Sequence, residues 1–130
     1  MKHKHQIRVR YGECDQMGFV HHSRYALYLE EARTEILRSN GLAYKDMEDE
    51  GIIMPVRSMH FEFKKAARYD DLLNVEVEVD GDIGVRMNFN YSIHNQENIL
   101  LCEARTEMFF AHKETLRPLK LPEKYLSYIK

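Results

Sequence analysis

Hydrophobic residues recur at helical spacing over only one long stretch of this chain, and nearly everything after it reads as strand. Tyr25, Tyr28, Leu29, Ala32 and Ile36 form one stripe, while Glu30, Glu31, Arg33, Glu35 and Arg38 fall largely elsewhere, so a helix is expected over residues 25–38. Ser39-Asn40-Gly41 supplies residues suited to a C-terminal cap. One long amphipathic helix followed by a run of strands buries both apolar surfaces when the helix lies across one face of an antiparallel sheet. The expected class is therefore α+β.

The strands come from alternation. Gln6-Ile7-Arg8-Val9-Arg10-Tyr11 has the period of a half-buried strand before the helix. After it, a short helical stretch over residues 43–50 ends at Gly51, and a strand is expected over residues 54–64, with Pro55 near its start where a missing N–H is tolerated. Residues 72–79 alternate clearly, with Leu73, Val75, Val77 and Val79 set against Asn74, Glu76 and Glu78. Turns at Asp80-Gly81-Asp82-Ile83-Gly84 and Asn95-Gln96-Glu97-Asn98 lead into strands over residues 85–94 and 99–112. Hairpin-like links suggest that these last four strands form an antiparallel meander. Residues 123–129 are expected to close the chain with a helical turn. The 130 residues suffice for one domain with its own core, and one domain over 1–130 is expected.

Composition narrows the function. The chain is 44% hydrophobic and 31% charged, which is that of a soluble globular protein, and no apolar run reaches the roughly 20 residues of a membrane span. Met1-Lys2-His3-Lys4-His5 leads into alternation rather than an apolar run, so no secretory signal is expected and the cytoplasm is the expected location. A net charge of −2 gives no reason to expect a nucleic-acid partner. Cys14 and Cys102 have neither metal-site spacing nor disulfide density. Cys14 also lies between Glu13 and Asp15, which disfavours a reactive thiolate.

The chemistry concentrates in Asp15-Gln16-Met17-Gly18-Phe19-Val20-His21-His22-Ser23-Arg24-Tyr25. A carboxylate there precedes a histidine by seven residues, with a glycine between and a helix just beyond. A helix start has unpaired N–H groups that can polarise a carbonyl, and a carboxylate can act as base or nucleophile on it. Asp15 reads either in that role or as a residue stabilising its own turn. His22 reads either as a donor and water-orienting imidazole or as an exposed histidine near a cap. Glu13, two residues before Asp15, would make a carboxylate pair of the glycosidase kind, although such pairs usually come from separated segments. His21 and His22 share no ligand spacing with His60, His94 or His112, so no metal is expected. Lys64, Lys65 and Arg68 could hold substrate phosphates or simply form a solvated strand end. No Gly-rich nucleotide loop is present.

Together these residues resemble the 4-hydroxybenzoyl-CoA thioesterase family of the hotdog fold, whose opening reads approximately R-x-R-Y-x-E-x-D-x-M-G-x-V-x-H-x-x-Y. Arg8, Arg10, Tyr11, Glu13, Asp15, Met17, Gly18, Val20, His22 and Tyr25 match it, and the resemblance continues through Tyr28-Leu29-Glu30-Glu31-Ala32-Arg33-Thr34-Glu35, Phe63-Lys64-Lys65, Ala67-Arg68-Tyr69-Asp70-Asp71-Leu72, Arg117-Pro118 and Leu121-Pro122. Arg24, Phe19 and Ala66 depart from the family's common asparagine, small aliphatic residue and proline. The resemblance implies a long helix wrapped by a curved sheet of about five antiparallel strands, and hydrolysis of an acyl-CoA thioester without metal or cofactor. It implies Asp15 as catalytic carboxylate and His22 as the residue polarising the carbonyl. Met17, Gly18, Tyr25, Lys64 and Lys65 are candidates for substrate contact, and a homodimer or homotetramer is implied, with the acyl pocket at a subunit interface. Two other readings stay open: a hotdog dehydratase or hydratase, and a non-catalytic module that binds acyl thioesters.

Overall fold

The computed structural model describes residues 2–129, so Met1 and Lys130 of the expected domain lie outside the described residues. The chain runs β1 (Lys2–Arg8), α1 (Tyr25–Ser39), α2 (Tyr44–Asp49), β2 (Ile52–Ile53), β3 (Val56–Phe63), β4 (Leu72–Asp80), β5 (Arg86–His94), β6 (Leu100–Phe109), β7 (Ala111–His112) and α3 (Glu123–Ile129). Short 3₁₀ turns at Tyr11–Glu13 and His22–Arg24 lie between β1 and α1. The expected α+β class and the hotdog arrangement hold: a five-stranded antiparallel sheet in the order β1-β4-β5-β6-β3, with one long helix on one face.

The helix ends as its residues direct. Gly41 takes φ +87, the left-handed region glycine occupies without a Cβ penalty. The N–H of Gly41 donates to the Arg38 carbonyl at 3.0 Å and that of Leu42 to the Leu37 carbonyl at 3.0 Å, the Schellman pattern that satisfies the last helical carbonyls.

The pairing of the later strands differs from the expected meander. Strands β4, β5 and β6 do follow one another, but β3 crosses to the far edge and pairs with β6 from Val56↔Met108 to Phe63↔Cys102. Strand β1 instead takes the edge of β4. There Lys2 lies opposite Glu78 and Lys4 opposite Glu76, with ion-pair separations of 3.6 and 3.3 Å. Those complementary cross-strand charges favour the register, and they carry β1 back to Lys2, whereas the expected strand over residues 6–11 ends at Arg8 and gives way to the 3₁₀ turn. The last strand also divides. Residues 111–112 leave the main sheet to pair with Ile52–Ile53.

Alternation sorts the sheet into two faces. Leu73, Val75 and Val77 of β4, Met87, Phe89, Tyr91 and Ile93 of β5, and Leu101, Cys102, Ala104 and Met108 of β6 are buried, most of them on the helix side, together with Tyr25, Tyr28, Leu29, Ala32, Ile36 and Leu37 of α1. The opposite face carries Glu76 and Glu78 of β4, Asn90 and Ser92 of β5, and Glu103 and Arg105 of β6. Arg33, placed by sequence with the polar residues of the helix, is instead 7% exposed.

Candidate functional site

Residues 14–20 fold back on themselves between the first 3₁₀ turn and the second. Cys14 and Val20 form an antiparallel bridge, the Asp15 N–H donates to the Phe19 carbonyl at 2.8 Å, and the His21 N–H donates to the Glu13 carbonyl at 2.9 Å. Gly18 closes the turn at φ +82, and its N–H donates to the Asp15 carbonyl at 3.0 Å. A residue with a Cβ would strain that φ, which is why glycine sits here.

This hairpin sets Asp15 on one arm and His22 just past the end of the other. Asp15 Oδ1 accepts from the Met17 N–H at 2.9 Å and the Phe19 N–H at 3.3 Å, so it does the work of a turn-stabilising aspartate. Both bonds use one oxygen, and among the described residues Oδ2 has no such partner. The structural and the chemical readings of Asp15 are therefore compatible. One oxygen positions the side chain, and the other stays available as an acceptor.

His22 is exposed and opens the 3₁₀ turn that runs directly into α1. Its N–H is an orphan donor of the kind a helix start leaves, and no backbone acceptor pairs with it among the described residues. The preceding His21 caps the turn, its Nδ1 accepting from the Ser23 N–H at 3.2 Å. The two imidazoles lie tilted with centroids 4.2 Å apart.

Glu13 belongs to the framework rather than to a carboxylate pair. Its Oε1 accepts from the Arg10 N–H at 2.8 Å and from the Tyr28 hydroxyl at 2.9 Å, tying the turn to the first part of α1. The available signal was Glu13 three residues after Arg10, where a glutamate reaches back to the N–H that opens a turn, although Arg10 has no side-chain acceptor to complete a capping box. Burial and the Glu13 carboxylate push the Tyr28 phenol well above its usual range, so it stays a donor at any working pH. Tyr28→Phe is expected to cost about 1 kcal/mol, read as a lower melting temperature, because the half-buried carboxylate then loses one of its two donors.

The remaining candidates divide. Met17 is 71% exposed at the hairpin tip. Tyr25 is buried, with its ring edge-on to Tyr28 at 5.8 Å and to Phe63 at 4.9 Å, and burial raises its phenol pKa. Lys64 pairs with Glu62 at 3.2 Å, whereas Lys65 has no ion pair among the described residues. The hairpin is pinned from the other side by residues 67–68. The Ala67 carbonyl accepts from the Val20 N–H at 2.9 Å, and the Arg68 guanidinium lies 4.8 Å above the Phe19 ring. Phe19, a departure from the family pattern, thus holds a cation over its face.

Cys14 is no nucleophile in this setting. Partial burial, then Glu13, Asp15 and Asp71, all raise its pKa, and burial pushes the Cys102 thiol up to about 11. Among the described residues no group of three or more His, Cys, Asp or Glu side chains is arranged to hold a metal ion, and no described helix is long and apolar enough to cross a membrane.

Comparison with known proteins shows what the chain as a whole is similar to. The model of the thioesterase-like superfamily matches residues 9–129. The chain is 32% identical over 124 residues to the acyl-CoA thioester hydrolase YbgC of Escherichia coli, covering 95% of this chain and 92% of that protein. It is 29% identical over 118 residues to the acyl-CoA thioesterase YbgC of Haemophilus influenzae, covering 90% and 86%. Among solved structures, a DHNA-CoA thioesterase from Staphylococcus aureus superposes with a TM-score of 0.93 at 30% identity, covering 98% of this chain and 88% of that one.

Proposed function

The chain belongs to the thioesterase-like superfamily, and from that premise we propose that it hydrolyses an acyl-CoA thioester to the free acid and CoA. One observation supports this reading above the others: the hairpin of residues 14–20 carries the Asp15 carboxylate on one arm and leads directly to the unpaired His22 N–H. A thioester carbonyl at the helix start accepts a hydrogen bond from that N–H, and negative charge developing on its oxygen strengthens the bond. The Asp15 carboxylate either attacks the carbonyl carbon itself, so that loss of CoA leaves an acyl-Asp15 anhydride that water then hydrolyses to the free acid, or takes a proton from a water that attacks that carbon. In both cases the C–S bond breaks, its electron pair goes to sulfur, and the CoA thiolate takes up a proton. The thiolate is a good leaving group, so a carboxylate and aligned N–H donors suffice. Lys65 and Arg68, close along the chain to the pinned hairpin, are cations suited to the phosphates of CoA.

The same reading includes a homodimer formed through β3. This strand is at the sheet edge, and its helix-side face presents Met59, Phe61 and Phe63, with Val56 at its start; Val56, Met59 and Phe63 are exposed. An apolar edge strand of eight residues is a template for pairing with a second copy. The outer sheet face carries ion pairs such as Lys4–Glu76 and Arg105–Asp80, which favours leaving it in water over stacking it in a tetramer. Met59→Asp is expected to shift the protein from dimer to monomer in sedimentation velocity. A wild type that sediments as a monomer would remove this part of the reading.

Release of free thiol from short, medium, long and aromatic acyl-CoAs tests the activity. Turnover of at least one class is the expected result. Binding of all of them without turnover would instead favour a thioester-binding module.

A further inference from the structure

A buried cation without a counterion lies beyond the helix start. Arg33 is 7% exposed, its Nη1 has no hydrogen-bond partner, and no ion pair among the described residues involves it. A guanidinium taken out of water is unfavourable unless an anion or strong acceptor compensates it. Inside the fold the Tyr91 hydroxyl faces the Arg33 guanidinium as a neutral acceptor, and it is also hydrogen-bonded to Thr106 Oγ1 at 2.7 Å. Burial raises the Tyr91 phenol pKa despite the opposing charge of Arg33, so Tyr91 stays neutral and supplies no negative charge.

Arg33 also lines a cavity of about 310 Å³ between α1, α2 and the start of β3. Leu37, Met54, Val56 and Met108 form its apolar part and Thr34 its polar wall beside Arg33, and the Tyr44 hydroxyl on its border is engaged by the Met54 N–H at 3.0 Å. Glu30 stands exposed at the rim, outside ion-pair distance of Arg33. The chamber therefore sets an apolar patch beside a positive charge without a counterion, a combination that receives a short hydrocarbon ending in an anionic oxygen.

We propose that this cavity takes the far end of the acyl group and that Arg33 selects acyl groups ending in a carboxylate. The proposal rests on the thioesterase and dimer readings above. Arg33 lies 11 positions beyond His22 (33 − 22), roughly 16 Å along the helix. A short acyl group held at the same subunit's helix start would not reach it. Antiparallel pairing of β3 with its copy brings the partner's helix start, which packs near the Phe63 end of that strand, toward the Val56 end that borders the cavity. Each cavity then serves the thioester held by the other subunit.

The test compares kcat/KM for three acyl-CoAs of one chain length: hexanoyl-CoA, 6-hydroxyhexanoyl-CoA and adipyl-CoA. Wild type is expected to favour adipyl-CoA over hexanoyl-CoA by about 10- to 100-fold, the range of a charge-assisted hydrogen bond in a desolvated site. In Arg33→Met the two values should converge, and Arg33→Lys should keep part of the preference because it keeps the charge. If Arg33→Met fails to fold, wild type alone decides. Free adipate should raise its melting temperature more than hexanoate or adipic acid monoamide at equal concentration. Equal or better turnover of hexanoyl-CoA, or a preference for the hydroxyl compound over the carboxylate, overturns the carboxylate assignment and leaves the thioesterase reading standing. No turnover of any of the three, or of the wider acyl-CoA panel, overturns both.

Discussion

Asp15→Asn is expected to lower kcat on the best acyl-CoA by about 10²- to 10⁴-fold, the range typical for loss of a positioned acid or base, with little change in KM. The substitution is informative because it separates the turn contacts of this side chain from the chemical role proposed for it. Asparagine keeps a carbonyl oxygen that can accept from the Met17 and Phe19 N–H groups, as Oδ1 does, so the hairpin retains its shape. What it loses is the negative charge and the basicity of the second oxygen. Asp15→Ala removes the turn contacts as well, and should add a stability loss of about 1 kcal/mol to the same loss of activity. If Asp15→Asn retains wild-type turnover while Asp15→Ala loses it, the residue serves only the turn, and another group does the chemistry. A single turnover in ¹⁸O-labelled water tests the nucleophilic role: label incorporated into the Asp15 carboxylate marks an acyl-Asp15 anhydride opened at the Asp15 carbon, and trapping of that anhydride during turnover separates nucleophile from base where the label goes only to the product acid.

What was legible in the sequence follows from how local each signal is. The helix over residues 25–38 is found at Tyr25–Ser39, because a 3.6-residue stripe and a glycine cap lie within one segment. The strands β4 and β5 are found within a residue or two, and the pairing of β4 with β5 and of β5 with β6 follows from short turns. The position of β3 was not legible. Which edge it joins depends on β1, more than fifty residues earlier, having already taken the edge of β4. Arg33 was hidden for a related reason. On the helix alone it counts as a charged residue off the apolar stripe, and its burial comes from Tyr91 and the walls of the cavity beside it, which belong to other elements. At the candidate site, the motif around Asp15 announced itself. The turn contacts of Asp15 and the tether from Glu13 to Tyr28 needed the hairpin to be seen.

The largest expected loss of stability is at Phe89. Its side chain is fully buried in the middle of β5, 6.2 Å from the Tyr91 ring, in the same core cluster as Leu29 and Ile36 of α1. Phe89→Ala removes an aromatic ring from a close-packed site and leaves a cavity that the paired strands on both sides cannot close. The expected cost is about 3–5 kcal/mol, a fifth or more of the roughly 5–15 kcal/mol available to a domain of this kind. Urea denaturation should show the midpoint falling sharply at unchanged slope. Ser92→Ala, on the opposite face of the same strand, should stay within about 0.5 kcal/mol. The contrast bears on function as well as on stability, since the orphan N–H of His22 is only as well placed as the helix behind it. In Phe89→Ala molecules that remain folded, a loosened seat for α1 should lower kcat, because the N–H must point at the oxyanion to stabilise it. A loss below about 1 kcal/mol, the ordinary size for an undistinguished substitution, would mean that this face of the sheet is not the floor on which the helix rests.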